Sequence, residues 1–375
     1  METPYYLIEE ARMLPTLERI RYVQERSGAR CLLALKCFSA WCAFDFMRGF
    51  FAGTTSSSLY EARLGREEFG GETHGYSVAY DASEIDEVVR LCDKVIFNSV
   101  GQLERHRARA RGVSLGLRLN PEVGHSRHEL AHPALRYSRL GVRAEQLPSD
   151  IGDHIDGAMI HVNCDNDDFA SFCEQLTQIE ARFGALLSRL TWLSLGGGVA
   201  FTSPGYPLDA FCERLRSFAA EHSLQLYLEP GEAAVTNSTT LVVRVLDIVH
   251  NEVPTLIVDA GVEPHLLDVL TYDYTPELEG AVALERSDDA ALRRPHAYRV
   301  CGRTCLAGDL FGHYRFEGPV RVGQELRFPD AGAYSMVKNN FFNGLRMPAI
   351  HHRDLSGRLR LARRSSYEAF RAALS

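Results

Sequence analysis

Eight short runs rich in apolar and β-branched residues recur between stretches of helical periodicity, and this alternation constrains the chain more than any other feature. The runs are 31–35, 51–55, 75–80, 94–97, 114–119, 157–162, 192–195 and 224–228. Strands separated by helices pair in parallel, and eight such units close into a barrel. Residues 83–91 illustrate the helical half of the pattern, with Ser83 as a candidate cap and apolar residues following at helical spacing. The expected fold is α/β, a (β/α)8 TIM-like barrel over 10–237.

Beyond Asn237 the period changes. Runs at 241–249, 255–258, 297–301, 320–328 and 334–338 read as strands joined by turns without long helices, which predicts an antiparallel β-domain over 238–375, joined by residues 1–9. At 375 residues the chain exceeds the size at which a single core stops growing, in keeping with two domains.

Composition excludes several classes. No window approaches the length of a membrane span, and the opening Met-Glu-Thr-Pro-Tyr-Tyr lacks the basic and apolar regions of a secretory signal, so a cytoplasmic protein without membrane partners is expected. The nine cysteines are scattered without CxxC spacing and read as reduced thiols, mostly core. His125, His128, His132 and the pair His351-His352 have loop-like surroundings and no accompanying carboxylate or cysteine pattern. They are read as surface, and no metal site is expected. A net charge of −8 disfavours nucleic acid and permits a cationic substrate.

The polar residues gather at the ends of the strands. In a βα barrel the C-terminal strand tips converge on one face, and that face holds the active site. Lys36 ends the first run, Cys31-Leu32-Leu33-Ala34-Leu35, and is one of only three lysines among 41 basic residues. A chain that otherwise prefers arginine keeps here the one side chain whose amine can lose its proton and form a Schiff base, typically with pyridoxal phosphate. The competing reading is a solvated lysine at a strand end. Ser56, Tyr80, Asn98, Arg118 with Asn120, and His161 with Asn163 end the following runs. His161 reads as a ring stacked on the face of the cofactor, against the plainer reading of a core histidine. Gly196-Gly197-Gly198 and Glu229-Pro230-Gly231 end the last two, where bare amides suit a phosphate and a buried carboxylate suits a pyridinium nitrogen. In the C-terminal part, Gly302-Arg303-Thr304-Cys305-Leu306-Ala307-Gly308-Asp309 is a polar loop carrying a thiol and a carboxylate.

Taken in order, Leu-Ala-Leu-Lys-Cys-Phe-Ser, Phe-Asn-Ser, Arg-Leu-Asn-Pro, Ser-Arg-Leu-Gly, Leu-Gly-Gly-Gly, Tyr-Leu-Glu-Pro-Gly-Glu-Ala, Thr-Cys-Leu-Ala-Gly-Asp and Tyr-Ser-Met-Val-Lys followed by Phe-Asn-Gly resemble the carboxynorspermidine decarboxylase family. That family belongs to the alanine racemase-like pyridoxal phosphate decarboxylases. The resemblance covers about residues 6–350. It implies that Lys36 carries the cofactor, His161 stacks on its ring, Glu229 pairs with its nitrogen, Arg118 lies beside it, and Gly197, Gly198, Gly231 and Tyr334 hold its phosphate. It further implies a homodimer with shared sites, in which Cys305, as proton donor, and Asp309 enter from the second subunit. Glu232 and Asp268 match substrate-binding positions.

The departures cluster where substrate choice resides. Val199-Ala200 stands where the family usually has two histidines, Cys164-Asp165 where it has Cys-Glu, and Thr271-Tyr272-Asp273-Tyr274 where it has Glu-Met-Pro-Tyr. The expected activity is therefore decarboxylation of an amino acid with an extended, amine-bearing side chain, carboxynorspermidine, carboxyspermidine or a relative, with the exact substrate open. A racemase or other lyase of the same fold would need acid–base groups on both ring faces, often a tyrosine opposite the lysine, where this chain offers Cys305. A non-catalytic cofactor carrier would have no use for Cys305 with Asp309.

Overall fold

All eight runs become strands of one closed barrel in the computed structural model, which describes residues 1–375. After β1 (Tyr5–Glu9), the barrel strands are β2 (Arg30–Ala34), β3 (Gly53–Ser56), β4 (Glu72–Tyr76), β5 (Lys94–Phe97), β6 (Ser114–Arg118), β7 (Gly157–Met159), β8 (Trp192–Ser194) and β9 (Gln225–Leu228). Each pairs in parallel with the next, and β9 closes on β2 through Arg30/Tyr227 and Cys31/Leu228. The chain divides into two compact units: Pro15–Ala234, which holds the barrel, and Met1–Leu14 with Val235–Ser375.

The helices are α1 (Glu10–Ser27), α2 (Phe44–Met47), α3 (Leu59–Leu64), α4 (Ile85–Leu91), α5 (Val100–His106), α6 (Phe169–Leu187), α7 (Leu208–His222) and α8 (Glu232–Val235). Ser58, Ser99 and Asp168 cap α3, α5 and α6 by accepting from backbone N–H groups of the first turn. Ser83 does not cap α4. Its N–H donates to Asp81 Oδ1 at 2.7 Å, so an Asx turn intervenes and the helix begins at Ile85.

Side chains fill the barrel. Leu32, Ile96, Met159, Trp192 and Tyr227 form its inner cluster. Trp192 fits because β7 begins with glycine: a Cβ on Gly157 would lie 2.1 Å from the indole. The N-terminal rim is closed by charge. Glu72 and Lys94, the first residues of β4 and β5, pair at 2.9 Å, and Tyr227 donates to Glu72 at 2.9 Å. The opposite end, where the strands finish, carries the side chains described below.

The other unit is a sheet of β1, β10 (Thr239–Asn251), β11 (Val253–Val258), β12 (Ala281–Leu284), β13 (Ala297–Cys301), β14 (Leu310–Phe316), β15 (Glu325–Phe328), β16 (Ala349–Arg353) and β17 (Leu359–Arg363). Its order is β12-β14-β13-β11-β10-β1-β16-β17, with β15 also on β10. The sheet is mixed and not purely antiparallel, because β1 pairs with β16, and β11 with β13, in parallel. Residues 5–9, expected only as a joining segment, are an interior strand between β10 and β16. The run 320–328 is a strand only from Glu325, since Gln324 N–H turns back to Arg321 O. The run 334–338 is no strand: Tyr334 has φ +52° and a 3-10 turn follows at Met336–Lys338. His351 and His352, read as surface, lie on β16, and His352 is buried with Nε2 3.0 Å from Glu10. All nine cysteines are free thiols, and no helix is long and apolar enough to cross a membrane.

Candidate active site at the barrel mouth

Lys36 stands two residues past the end of β2 in the turn that β2 feeds. Solvent reaches its side chain at the mouth, yet the surrounding protein crowds it. Burial lowers its pKa below the ordinary lysine value; Glu229 opposes the shift and Arg118 adds to it. The other lysines are committed elsewhere. For Lys94, burial opposes the charge, but Tyr227 and Glu72 outweigh it and raise the pKa at the opposite rim. Lys338, in the other unit, is ion-paired with Asp268. Burial thus pushes Lys36 toward the neutral amine a carbonyl needs.

Glu229 is 6% exposed, one residue past β9. Ser194 Oγ donates to its Oε1 at 2.5 Å and accepts from Gly196 N–H at 3.2 Å. A carboxylate buried on such partners is fixed in direction. His161 lies two residues past the end of β7, not within the strand as the run 157–162 suggested. Burial, then repulsion from Lys36 and Arg118, drives its pKa far below the usual imidazole value, so the ring is neutral at physiological pH. Its Nδ1 is buried without a hydrogen-bond partner. Arg118, 4% exposed, ends β6 and is fixed at both nitrogens, donating to Tyr76 Oη at 2.8 Å and to His161 O at 3.1 Å. Tyr76 in turn donates to Asn98 Oδ1 at 2.8 Å.

The glycine triplet has two duties. A Cβ on Gly196 would lie 2.6 Å from His161 Cβ, one on Gly197 2.3 Å from Glu229 O, and one on Gly198 2.0 Å from Asn163 O. The turn after β8 thus packs directly against the His161 and Glu229 turns, which only glycine permits. In addition, the N–H groups of Gly197, Gly198 and Gly231 donate to no acceptor in the protein, which suits an anion. Two strand-end turns carrying spare amides, a fixed carboxylate and a suppressed lysine fit pyridoxal phosphate: amides for the phosphate, Glu229 for the ring nitrogen, His161 for the ring face, and Lys36 for the aldehyde.

Acidic groups flank this cluster. Glu61 of α3 accepts from Ser57 N–H at 2.6 Å; burial raises its pKa, while that bond and the charge of Lys36 lower it. Cys164 is pushed up to about 11, first by burial and then by Asp165, with Glu232 adding to it. Asp165 itself is held at φ +52°. Glu232, exposed at the start of α8, and Asp165 therefore bring two carboxylates to the side of the mouth that Cys164 occupies.

The remaining expected residues belong to the other unit. Asp309 is 3% exposed and accepts from Val262 N–H at 2.7 Å, Thr304 N–H at 2.9 Å and Thr304 Oγ1 at 2.6 Å. This gives it a structural duty in shaping its loop. Cys305, on the same loop, is exposed, with its N–H donating to Asn343 Oδ1 at 2.6 Å. Asp268 has Lys338 as an internal partner, and Lys338 Nζ also lies 5.0 Å from the centre of the Tyr334 ring. Sequence reasoning missed Tyr76, Ser194 and Glu61. Ser194 had a signal: it shares a strand face with Trp192, so it points into the barrel one step before the tip. Tyr76 was hidden because the run was read as ending at Tyr80, and a helical Glu61 gives no pattern at all.

A family model described as "Pyridoxal-dependent decarboxylase, C-terminal sheet domain" matches residues 22–332. A carboxynorspermidine/carboxyspermidine decarboxylase of Herminiimonas arsenicoxydans is 50% identical over the whole of both chains. A carboxyaminopropylagmatine decarboxylase of Synechocystis is 35% identical over 100% of this chain and 96% of that one. The crystal structure of carboxynorspermidine decarboxylase from Campylobacter jejuni, complexed with norspermidine, superposes with a TM-score of 0.91 at 33% identity, covering all of both chains.

Proposed function

This chain belongs to the pyridoxal-dependent decarboxylases and acts as a carboxy-lyase on an amino acid with an extended, amine-bearing side chain; we propose that its substrate is a carboxylated triamine, carboxynorspermidine or carboxyspermidine. The observation that carries the reading is the convergence at one barrel mouth of a lysine with a lowered pKa, a buried carboxylate fixed by Ser194, and a neutral imidazole.

Bound pyridoxal phosphate supplies the electron sink that lets an α-carboxylate leave as carbon dioxide. The chain does the rest. Lys36, its charge disfavoured by burial, would supply the amine that holds the cofactor. Glu229, turned by Ser194, keeps the ring nitrogen protonated. His161 can cover the ring face without placing a second cation there, and Arg118 is held by Tyr76 and His161 O. Spare amides of Gly197, Gly198 and Gly231 take the phosphate. Asp165 and Glu232 favour the ammonium groups of a polyamine tail. Cys305, solvent-facing on its anchored loop, suits a proton donor contributed by a second copy in a cytoplasmic homodimer.

The test is carbon dioxide release from a panel of carboxynorspermidine, carboxyspermidine, carboxyaminopropylagmatine and meso-diaminopimelate. The highest kcat/KM should fall on one of the two carboxylated triamines. Preference for the guanidino compound or for diaminopimelate would overturn the substrate reading while leaving the decarboxylase assignment intact. For the dimer, Lys36→Ala and Cys305→Ala proteins, each inactive alone, should regain activity when mixed. Absence of recovery under subunit exchange would rule out shared sites.

A further inference from the structure

His222, the last residue of α7, is 8% exposed, tilted over Phe218 at 5.0 Å between ring centres, and its Nε2 is buried with no hydrogen-bond partner. It points at Glu180 of α6, whose Oε1 is likewise buried and unpartnered, and the two atoms are 3.7 Å apart. The other side of the ring fixes its tautomer. Ser188 Oγ donates to Gly184 O at 3.1 Å, so at 3.5 Å it has a lone pair to offer His222 Nδ1–H. In the neutral ring Nε2 is then a bare lone pair facing a carboxylate oxygen. Two buried acceptors in that arrangement stay uncompensated unless a proton or a metal cation joins them.

We propose that Glu180, Glu221 and His222 form a divalent-cation site of the zinc class, which ties α6 to α7 on the outside of the barrel. One ligand atom from each of the three lies within 4.8 Å of the others. With zinc bonds of about 2.0–2.2 Å to nitrogen and oxygen, two ligands of a tetrahedron lie about 3.4 Å apart, so 3.7 Å is a slightly opened ligand pair and too long for a hydrogen bond. Arg214 occupies Glu180 Oε2 at 3.1 Å, which leaves Oε1 as the free donor and offsets one negative charge. An imidazole donor selects a zinc-like ion over magnesium or calcium, which favour all-oxygen shells. Glu221 is exposed, which leaves the fourth position to water. His222 closely precedes β9, so the site lies at the end of the barrel where strands begin, remote from the mouth. The spacing of these residues in sequence carried no sign of it, since Glu180 comes from a different helix.

Calorimetric titration of the tag-free holoenzyme with zinc chloride tests the proposal, alongside Glu180→Gln, Glu221→Gln and His222→Gln. One zinc per chain should bind, each variant should weaken that binding by about tenfold or more, and magnesium should give no heat. X-ray absorption at the zinc edge should show nitrogen and oxygen neighbours near ~2.0–2.1 Å and no sulfur near ~2.3 Å, separating this site from the free cysteines. Glu221 is exposed, so its variant should fold even if the buried substitutions do not. Equal zinc affinity in wild type and Glu221→Gln, a sulfur shell, or no stoichiometric binding would overturn the proposal and leave His222–Glu180 as an imidazolium–carboxylate contact.

Discussion

Gly196→Ala separates the strain of a backbone from the displacement of a ring. Gly196 has φ +68°, where an L-residue costs roughly 1–2 kcal/mol, and the added methyl would sit 2.6 Å from both Cβ and Cγ of His161. Ordinary carbon contacts are about 3.5–4.0 Å, so the imidazole must retreat by about 1 Å. Gly205 is the control, because it has φ +81° and nothing within 4 Å of its would-be Cβ. Both alanine variants should melt earlier by the same backbone penalty of about 1–2 kcal/mol. Only Gly196→Ala should also lose cofactor affinity and turnover, the latter by about 100-fold, as expected for a group misplaced by about 1 Å. Absorbance titration of cofactor-free protein with pyridoxal phosphate and a carbon dioxide assay read the two effects. Equal cofactor binding and turnover in the two variants would refute the claim that Gly196 seats His161 for the cofactor.

Ser194→Ala should leave Glu229 Oε1 without its donor, and a loss of about 1.4 kcal/mol of orientation corresponds to a tenfold drop in kcat with KM little changed; steady-state kinetics check it, and an unchanged kcat would mean that Ser194 only packs. Because the folded pKa of Lys36 lies below lysine's usual 10.5, the neutral amine appears at lower pH, and the rate of pyridoxal phosphate capture should rise through a midpoint below 10.5 in stopped-flow absorbance; a midpoint at or above that value would contradict the desolvated site. His265 is pushed down to about 3 by burial, so below 6.5 the unfolded chain takes a proton that the folded one refuses until about 3. Stability is therefore intact above 6.5 and is lost as pH falls. Relative to wild type, His265→Gln should gain about 2 kcal/mol between pH 7 and pH 5 in urea melts, and a pH-independent difference would show that the imidazole does not titrate this way.

The barrel was readable because its strands are buried on both faces, so each is a short apolar run that stands out between amphipathic helices. Their ends were less so. Residues 160–162 follow β7 with isolated backbone bonds, Ile160 N–H to Ser194 O and His125 N–H to Val162 O, which is why His161 looked like part of a strand, and the polar turn after Tyr76 was absorbed into its run. The second unit was harder. β14 carries Gly312 and His313 and β16 carries His351-His352, and these residues mask strands whose burial comes from long-range pairing. β1 pairs with residues more than two hundred positions away, a contact no local pattern encodes. At the site, Lys36, Glu229, His161, Arg118 and the glycines were legible as strand-tip residues of unusual type. Their supports were less so: Ser194 showed only its strand face, and Tyr76 and Glu61 matter only through the partners that folding brings to them. Asp309 and Asp268 were expected only through the resemblance, and within the chain their partners are loop amides and Lys338.

Reduction of the purified protein with borohydride, followed by peptide mass mapping, tests the central claim most directly. The pyridoxyl mass should be found on Lys36 alone, and Lys36→Ala should carry none. A label on Lys94 or Lys338, or its persistence in the variant, would contradict the assignment of the barrel mouth as the site of chemistry.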